Sequence, residues 1–516
     1  MSVRRRDLVK LGAGLSLLGS SARVALAQST PAPSMPQTSS PTPFDNNTVR
    51  LIAQKLAKSP YNAPPQSLPS EIANLDADQY KGITYNSDYA LWHGQNLSFD
   101  VEFFPRGFLY KPRIEMNEVV DGHSSRINYN ADLFSYTNPV FRVSDDLGFG
   151  GLRLRYSINT PGIMEECAVF LGASYFKAVA KGQTYGLSAR GFSNGTGDPK
   201  GEEFAIFREF WLEKPALGVE TIVIHALLDS PSVTGAFRFT IRPGDTTIFD
   251  VQSSLFPREE IHQAGIAALA GMFFFDTNER NHVDDWRPAA HDSEALQVWT
   301  GSGQQLYRPL VNPTDLQFSA FVDDSPHGFG LMQRKRNFQN YQDLSLHYEK
   351  RPSLWIEPIG NWGNGSIDLV EIPTPNEVND NIIAFWRPQA SLQAGKEYNF
   401  VYRMYWGWDT PWPTELARVS ATRIGAVPDH SDQRFFVIDF SGDSVQKPPQ
   451  NNQLHLMTQV SQGTIQDVVI QDNPSIKGWR ATFKFSPGDA KIAELQAQLT
   501  NDQGAISEKW MYRWTP

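Results

Sequence analysis

Apolar and polar residues alternate at every second position along several stretches of this chain. In residues 97–103, Leu, Phe, Val and Phe alternate with Ser, Asp and Glu, and residues 152–159 and 237–242 repeat the pattern. Successive side chains of a strand point to opposite faces, so each stretch predicts a half-buried antiparallel strand. Because Gly and Pro separate these stretches and long helical patterns are scarce, we expect an all-β chain built around a large β-sandwich.

The N-terminal region follows other patterns. Residues 1–27 combine an Arg-Arg pair, a short apolar stretch and a final Ala-Leu-Ala, which predict a removable twin-arginine signal peptide and a periplasmic location. Residues 28–44 are rich in Ser, Thr, Pro and Gln and predict a disordered tether. Residues 45–58 place apolar side chains on one helical face, so we expect a helix there as the first ordered element.

Charge and cysteine content exclude several classes of function. The formal charge of the chain is −10, and removal of residues 1–27 takes away a net +4, which leaves −14. A protein this acidic is unsuited to nucleic acid or to anionic lipid surfaces. Cys167 is the single cysteine, so neither an internal disulfide nor a multi-cysteine zinc site can form.

The alternating pattern continues to residue 404 and stops at a stretch rich in tryptophan and proline. Two prolines within residues 406–414 cannot continue a central strand. We therefore expect residues 45–405 to form the large sandwich and residues 406–414 to form a linker, with Trp406, Trp408 and Trp412 packed between domains. Residues 415–516 are then a small immunoglobulin-like sandwich.

Two acidic segments concentrate the ionisable side chains. Residues 271–296 hold many carboxylates with two histidines and two arginines, and residues 362–388 hold further carboxylates among aromatic residues and arginines. Charge this dense beside apolar residues favours either a functional site or a surface loop held by ion pairs. Asp292, taken alone, could be the N-cap of a helix.

Three short motifs favour simple interpretations. GFSNG at residues 191–195 matches the G-x-S-x-G nucleophile elbow, but TGDPKG follows it where a helix is required, which favours a turn. Asp276-x-Asn278-x-Arg280 begins like a calcium loop, but it puts a cation at the third ligand position. His282 and His291 lack a metal-ligand spacing, so we expect no metal and no other cofactor.

Aromatic residues near the acidic segments favour a carbohydrate site. Sugar rings stack on Trp and Tyr, while carboxylates, amides and arginines bind the hydroxyls. Glycosidic cleavage needs one protonated carboxyl and a second carboxylate, which two loops of one sandwich can supply. The candidate stacking residues are Tyr348, Trp355, Trp362 and Trp386, for which core packing is the alternative.

Five long strings carry a family resemblance. They are LGASYFKAVAKGQTYGLSARG (171–191), EEFAIFREFWLEKP (202–215), FFFDTNERNHVDDWRPAAHDSEAL (273–296), LWIEPIGNWGNGSIDLVEIPTPNEVNDNIIAFWRP (354–388) and YRMYWG (402–407). In these strings the chain resembles the osmoregulated periplasmic glucan biosynthesis proteins G and D, and the twin-arginine signal makes it most like the D type. Strings of this length are far more specific than a short motif.

The resemblance implies a galactose-mutarotase-like N-terminal sandwich followed by an immunoglobulin-like domain. It also implies an inverting endo-β-1,2-glucanase that acts on the backbone of osmoregulated glucans. By motif, Asp380 is the general acid, and Asp292 is the general base that reaches the attacking water through a relay. The remaining residues implied as subsite or relay groups are His291, Tyr348, Trp355, Trp362, Glu371 and Arg387.

Two other functions remain open from the sequence. An anomer-inverting transglycosylase that cyclises β-1,2-glucan would use the same carboxyl groups, with a sugar hydroxyl in place of water. A non-catalytic protein would instead bind glucan and assist a membrane glucan synthase, with the immunoglobulin-like domain as the interaction module. The expected partner is β-1,2-glucan, and the synthase and a homodimer are further candidates.

Overall fold

The computed structural model describes residues 40–280, 283–412, 414–446 and 454–516. The predicted signal peptide and all but the end of the predicted tether lie outside these residues. Strands dominate the described chain, which confirms the predicted all-β sandwich fold. Within these residues, no helix is both long enough and apolar enough to cross a membrane.

The helices are few and short. The α-helices are α1 Thr48–Leu56, α2 Ser70–Ala73, α3 Ala77–Lys81 and α4 Asp443–Gln446. The 3-10 helices are Ser87–Tyr89, Ala131–Leu133, Pro139–Phe141, Phe338–Asn340, Tyr348–Lys350 and Pro474–Ile476. Helix α1 confirms the helix predicted within residues 45–58, but it is not the first ordered element, because a short strand at Thr42–Pro43 precedes it. Its apolar face buries Val49 and Ala53 against Trp211 and Phe256.

The strands are numbered in chain order. The first are β1 Thr42–Pro43, β2 Ile83–Tyr85, β3 Phe99–Phe104, β4 Glu115–Val120, β5 His123–Ile127, β6 Phe134–Tyr136, β7 Gly151–Tyr156, β8 Glu165–Leu171, β9 Tyr175–Ala178, β10 Ser188–Arg190, β11 Ser193–Asn194, β12 Ile206–Glu213, β13 Ile222–Asp229, β14 Val233–Arg242, β15 Thr247–Pro257, β16 Ala264–Gly271 and β17 Phe273–Phe275. The others are β18 Ala290–His291, β19 Ala295–Trp299, β20 Gln305–Pro309, β21 Gln317–Asp324, β22 Gly328–Met332, β23 Ser353–Ile359, β24 Asn364–Glu371, β25 Ile382–Pro388, β26 Tyr398–Gly407, β27 Arg418–Val427, β28 His430–Ser441, β29 His455–Val460, β30 Thr464–Asn473, β31 Gly478–Ser486, β32 Ala493–Asn501, β33 Gly504–Ala505 and β34 Lys509–Trp514.

The chain divides into two compact units. The first unit contains the described residues up to Ala268 together with residues 385–407, and the second contains residues 269–384 and the described residues from Trp408 onward. This grouping differs from the predicted division at residues 406–414, because it places a long internal segment with the C-terminal strands. Strand β26 also continues through Gly407, Trp406 is buried, and Trp408 and Trp412 are 38% and 41% exposed. The packing of the three tryptophans between domains stays a prediction.

The first unit is a sandwich of two antiparallel sheets. One sheet has the order β1-β5-β4-β12-β13-β14-β15-β26, with a parallel pairing between β4 and β12, and the other has β10-β9-β8-β7-β3. Phe239 of β14 contacts Phe170 of β8 and Phe176 of β9, each at 5.2 Å between ring centroids. These contacts place the core between the two sheets.

Strand β3 is buried on both faces rather than half-buried as predicted. Glu102 is 2% exposed and pairs with Arg153 at 2.5 Å and with Arg155 at 2.5 Å. Both arginines lie on the neighbouring strand β7, so they cover the charged face of β3 and neutralise its carboxylate. The GFSNG motif forms the short strand β11 and a turn, as expected, and its Ser193 is buried.

The second unit holds its two segments together through a shared core. Its larger sheet has the order β23-β22-β19-β20-β34-β32-β29, and a four-stranded sheet has the order β27-β28-β31-β30. Phe436 of β28 stacks on Phe483 at 5.0 Å and meets Trp510 of β34 edge-on at 5.7 Å. Ala295 and Tyr307 of the internal segment belong to the same apolar cluster. The predicted C-terminal sandwich is therefore completed by strands from residues 269–384.

Candidate active site

The two acidic segments meet at residues 271–273, where strand β16 ends and strand β17 begins. The backbone N–H of Asp292 donates to the carbonyl oxygen of Met272 at 2.7 Å. The backbone N–H of Asn381 donates to the carbonyl of Gly271 at 2.9 Å, and the Asn381 side-chain oxygen accepts from Phe273 N–H at 2.8 Å. Asp380, half-buried, directly precedes Asn381. The structure thus ties both predicted catalytic segments to one short stretch of backbone.

Asp292 is held by a buried ion pair. Its carboxylate pairs with Arg351, and the two residues are 4% and 3% exposed. The Arg351 guanidinium also lies over the Tyr348 ring, 4.1 Å from its centroid. Burial lowers the pKa of Arg351, but the electrostatic interactions with Asp292 and, to a smaller extent, with Tyr348 outweigh burial and raise this pKa. Arg351 therefore stays cationic beside Asp292, and solvent barely reaches either side chain.

Tyr348 links this ion pair to the loop between β24 and β25. Its hydroxyl donates to Glu377 in that loop at 2.8 Å, and Arg287 approaches the same carboxylate at 2.6 Å. Arg287 also pairs with Asp285 at 2.7 Å and Asp343 at 3.0 Å. Burial is the main cause that raises the pKa of the Tyr348 hydroxyl, which therefore stays protonated and keeps donating.

A second buried cluster surrounds His291, the residue before Asp292. The His291 ring stacks on Phe273 with 5.5 Å between the ring centroids. Its Nε2 atom lies 3.5 Å from a carboxylate oxygen of Asp276. The Lys335 ammonium pairs with the same oxygen and lies 4.0 Å from Glu294. Burial raises the pKa of Asp276, but the Lys335 charge and His291 outweigh burial and hold this pKa well below its ordinary value.

This second cluster also has the composition of a cation site. One ligand atom each from Asp276, His291 and Glu294 lies within 4.8 Å of the other two. Lys335 already supplies a positive charge to Asp276, so the chain itself balances one of the two carboxylates of the cluster. Sequence spacing did not reveal this grouping, because His291 and Glu294 meet Asp276 only through the pairing of β17 with β18. The expectation that no metal is needed stays a prediction, and His282 lies outside the described residues.

Glu371 is an internal anchor, which corrects its assignment as a sugar ligand. It is fully buried, pairs with Arg308 at 3.1 Å and accepts from Val311 N–H at 2.9 Å. Its charge adds to burial in raising the pKa of Glu279 to about 7. A carboxylate enclosed in this way has no free face for a hydroxyl group.

The predicted aromatic residues are mostly buried. Trp355 is 2% exposed and lines a cavity of about 20 Å³, Trp362 is 9% exposed, and Trp386 has no exposed surface. Core packing, the alternative considered above, accounts for the burial of Trp355 and Trp386. Arg387 is half-exposed and belongs, like Trp386, to the first unit, whereas the other predicted site residues belong to the second.

Sequence reasoning missed one aromatic residue that solvent does reach. Trp286 is 71% exposed, and the Arg287 guanidinium lies 6.0 Å from its ring centroid. An exposed indole beside the network of Arg287 and Glu377 offers a flat apolar face next to groups that bind hydroxyls. Its position within the acidic run of residues 284–287 was the available signal.

Comparison with known proteins agrees with the strings recognised in the sequence. The model of the family described as "Periplasmic glucan biosynthesis protein, MdoG" matches residues 44–514. A protein of Rhodopseudomonas palustris (strain BisA53) is 50% identical over 92% of this chain and 94% of its own length. A protein of Bradyrhizobium diazoefficiens is 46% identical over 97% of this chain and 99% of its own length. A Vibrio cholerae protein is 46% identical over 92% of this chain and 87% of its own length. All three proteins are named glucans biosynthesis protein G.

Proposed function

Because this chain belongs to the family of periplasmic glucan biosynthesis proteins described as MdoG, we propose that it is an inverting endo-β-1,2-glucanase of osmoregulated glucan biosynthesis. The family description refers to the periplasm, and a twin-arginine signal in residues 1–27 is our proposal for the route of export. The relatives reported above carry the G name, so likeness to the D type rests on that signal alone.

The observation that carries the proposal is the shared attachment of the two acidic segments to residues 271–273. In an inverting mechanism one carboxyl protonates the leaving oxygen while the other activates water on the opposite face of the sugar. We assign Asp380 to the first role and Asp292 to the second. Hydrogen bonds from rigid strand ends hold catalytic groups more precisely than a free loop does.

Asp292 acts through neighbouring groups rather than by direct contact with water. Its carboxylate is 4% exposed and bound to Arg351, and Arg351 packs on Tyr348. A proton taken from water in the cleft reaches such a carboxylate only along hydrogen-bonded groups. The buried guanidinium of Arg351 fixes the position of the Asp292 carboxyl group.

Two alternatives use the same residues differently. If a sugar hydroxyl takes the place of water, the carboxyl pair catalyses transglycosylation and cyclises the glucan. In a non-catalytic scaffold, the acidic segments bind sugar only, and the protein assists a membrane glucan synthase. The buried ion pair at Asp292 favours the catalytic function, because an anion enclosed at 4% exposure is poorly placed as a direct sugar ligand.

Incubation of the mature protein with linear β-1,2-glucan tests the proposal. Product size, new reducing ends and optical rotation are followed on one sample. Falling size with rising reducing ends, and the optical rotation of an inverted product, support the glucanase. New products without new reducing ends would assign transglycosylation instead. An unchanged substrate that still binds would overturn the catalytic proposal and favour the scaffold.

Replacement of Trp286 by alanine should raise KM for glucan without changing kcat. Aromatic stacking contributes roughly 0.5–1.5 kcal/mol, which corresponds to an increase in KM of about two- to twelvefold. Trp286→Phe keeps a ring and should retain most of the affinity. Because the indole is 71% exposed, the melting temperature of Trp286→Ala should match that of the wild type. An unchanged KM in Trp286→Ala would show that this ring does not contact substrate.

A further inference from the structure

The first unit contains a cavity that has no part in the proposed reaction. Its volume is about 630 Å³, within the range typical of small-molecule sites. It opens between the two sheets of the sandwich, and its walls come from β8 and β12 and from the loops that precede β4 and β9. The inner wall consists of the phenylalanines Phe170, Phe207 and Phe210.

The lining of the cavity is mostly apolar, and Gln66, Tyr110, Lys111 and Tyr175 supply its polar part. Ile114, Leu171 and Ile206 line the cavity together with the phenylalanines. Within the described part of the chain, none of the residues that line this cavity has a buried side-chain nitrogen or oxygen atom without a hydrogen-bond partner. A sugar would have to bury several hydroxyls against the aromatic walls, whereas a hydrocarbon chain loses only contact with water.

Lys111 supplies a positive charge at the lining of this cavity. The residue is half-buried, and among residues 40–280, 283–412, 414–446 and 454–516 its ammonium group has neither an ion pair nor a hydrogen bond. By contrast, Lys335 of the second unit lies against Asp276. A half-buried ammonium beside an apolar space is complementary to an anionic group attached to an apolar chain.

The opening is preformed. Arg106 is buried and donates to the Lys111 carbonyl at 2.8 Å and to the Pro65 carbonyl at 3.0 Å, which fixes the loop that carries Lys111. Phe108 and Ala173, which also line the cavity, have φ values of +51° and +45°. Residues other than glycine adopt this backbone region at a cost, and such strain is commonly kept at ligand clamps.

We propose that this cavity binds a free fatty acid, with the hydrocarbon chain between the two sheets and the carboxylate on Lys111. The apolar walls select the chain, and the unpaired ammonium selects an anionic over an uncharged head group. The site is independent of the carboxyl pair of the second unit and would stand even if the protein cleaved no glucan.

Fluorescence titration of the mature full-length protein with cis-parinaric acid, and with its uncharged methyl ester, tests the site. We expect saturable binding of the acid, which Lys111→Glu should weaken about tenfold. In this variant the attraction between the half-buried ammonium and the ligand carboxylate becomes a repulsion between two carboxylates. Binding of the ester should stay the same in this variant. The matched control Lys200→Glu changes an exposed lysine of the same unit and should leave both affinities unaltered.

A second pair of variants tests the location. Ile206→Trp places a larger side chain in the cavity and should abolish binding of both ligands. Leu109→Trp, in the loop that precedes β4, should have the same effect without altering a strand. Thermal unfolding checks the fold, and if Ile206→Trp is unfolded, Leu109→Trp decides alone. The proposal is overturned by an absence of saturable binding, by equal losses in Lys111→Glu and Lys200→Glu, or by full binding in a folded cavity-filling variant.

Discussion

Asp380→Asn should lower turnover of linear β-1,2-glucan by a factor of about 10²–10⁴ and leave the affinity for glucan nearly unchanged. An amide has almost the size and shape of the carboxyl group, so the contacts of the loop are kept. It cannot donate a proton to the leaving oxygen, and the barrier to cleavage rises by the contribution of general acid catalysis. Turnover and binding are measured separately, by release of reducing ends and by calorimetric titration with glucan.

The matched control for this variant is Asp315→Asn. Asp315 is an exposed aspartate of the same unit, and its substitution makes the same change of charge away from the acidic segments. We expect wild-type turnover from this control. If Asp380→Asn also turned over glucan at the wild-type rate, Asp380 would not be the acid. A loss of binding equal to the loss of turnover would instead make Asp380 a sugar ligand.

Lys335→Met should destabilise the second unit by about 3–5 kcal/mol at pH 7, because it leaves the Asp276 carboxylate buried without its cation. Asp276 is 3% exposed, so water cannot replace the lost charge. Urea unfolding followed by a probe within the second unit measures the change. The double variant Asp276→Asn/Lys335→Met should recover much of the loss, because it removes the buried charge itself.

The stability difference should depend on pH with a definite sign. In the wild type the pKa of Asp276 is lowered, so its contribution is present above the unfolded pKa and is lost as the pH falls. Burial is already the largest single influence on this pKa, and without Lys335 we expect burial to outweigh His291 and raise it, so that stability is then lost as the pH rises. The deficit of Lys335→Met should therefore be small near pH 4 and increase toward pH 7.

The control for this experiment is Lys491→Met, which removes an exposed lysine of the same unit. A surface substitution of this kind changes stability by less than about 0.5 kcal/mol. A deficit of Lys335→Met that did not vary between pH 4 and pH 7 would contradict the assignment of Lys335 as the counter-ion of Asp276.

Regular local patterns led to correct predictions. Helix α1 occupies Thr48–Leu56 because its apolar residues recur at the helical period and pack on one face. Strands β7 and β14 coincide with alternating stretches for the corresponding reason. Both periods follow from backbone geometry within a few residues, which a reader of the sequence can evaluate directly.

Local patterns could not predict which charged side chains are buried or which distant residues they pair with. Glu371 was expected to bind sugar, but Arg308, 63 residues away in sequence, encloses it. Asp292 meets Arg351 over 59 residues, and Tyr348 meets Glu377 over 29. No local pattern states which distant charge will face a carboxylate, since that depends on the pairing and packing of strands.

By itself the sequence determined the all-β class, the first helix, the family and the two acidic segments that carry the proposed reaction. Each of these is recorded in short-range periodicity or in long strings of residues. Only the tertiary structure decided that residues 271–273 join those segments, that Trp286 rather than Trp355 is exposed, and that a cavity opens beside Lys111. Exposure, ion pairing and empty volume arise from contacts between residues far apart in the chain, so they exist only once the strands have paired and the sheets have packed.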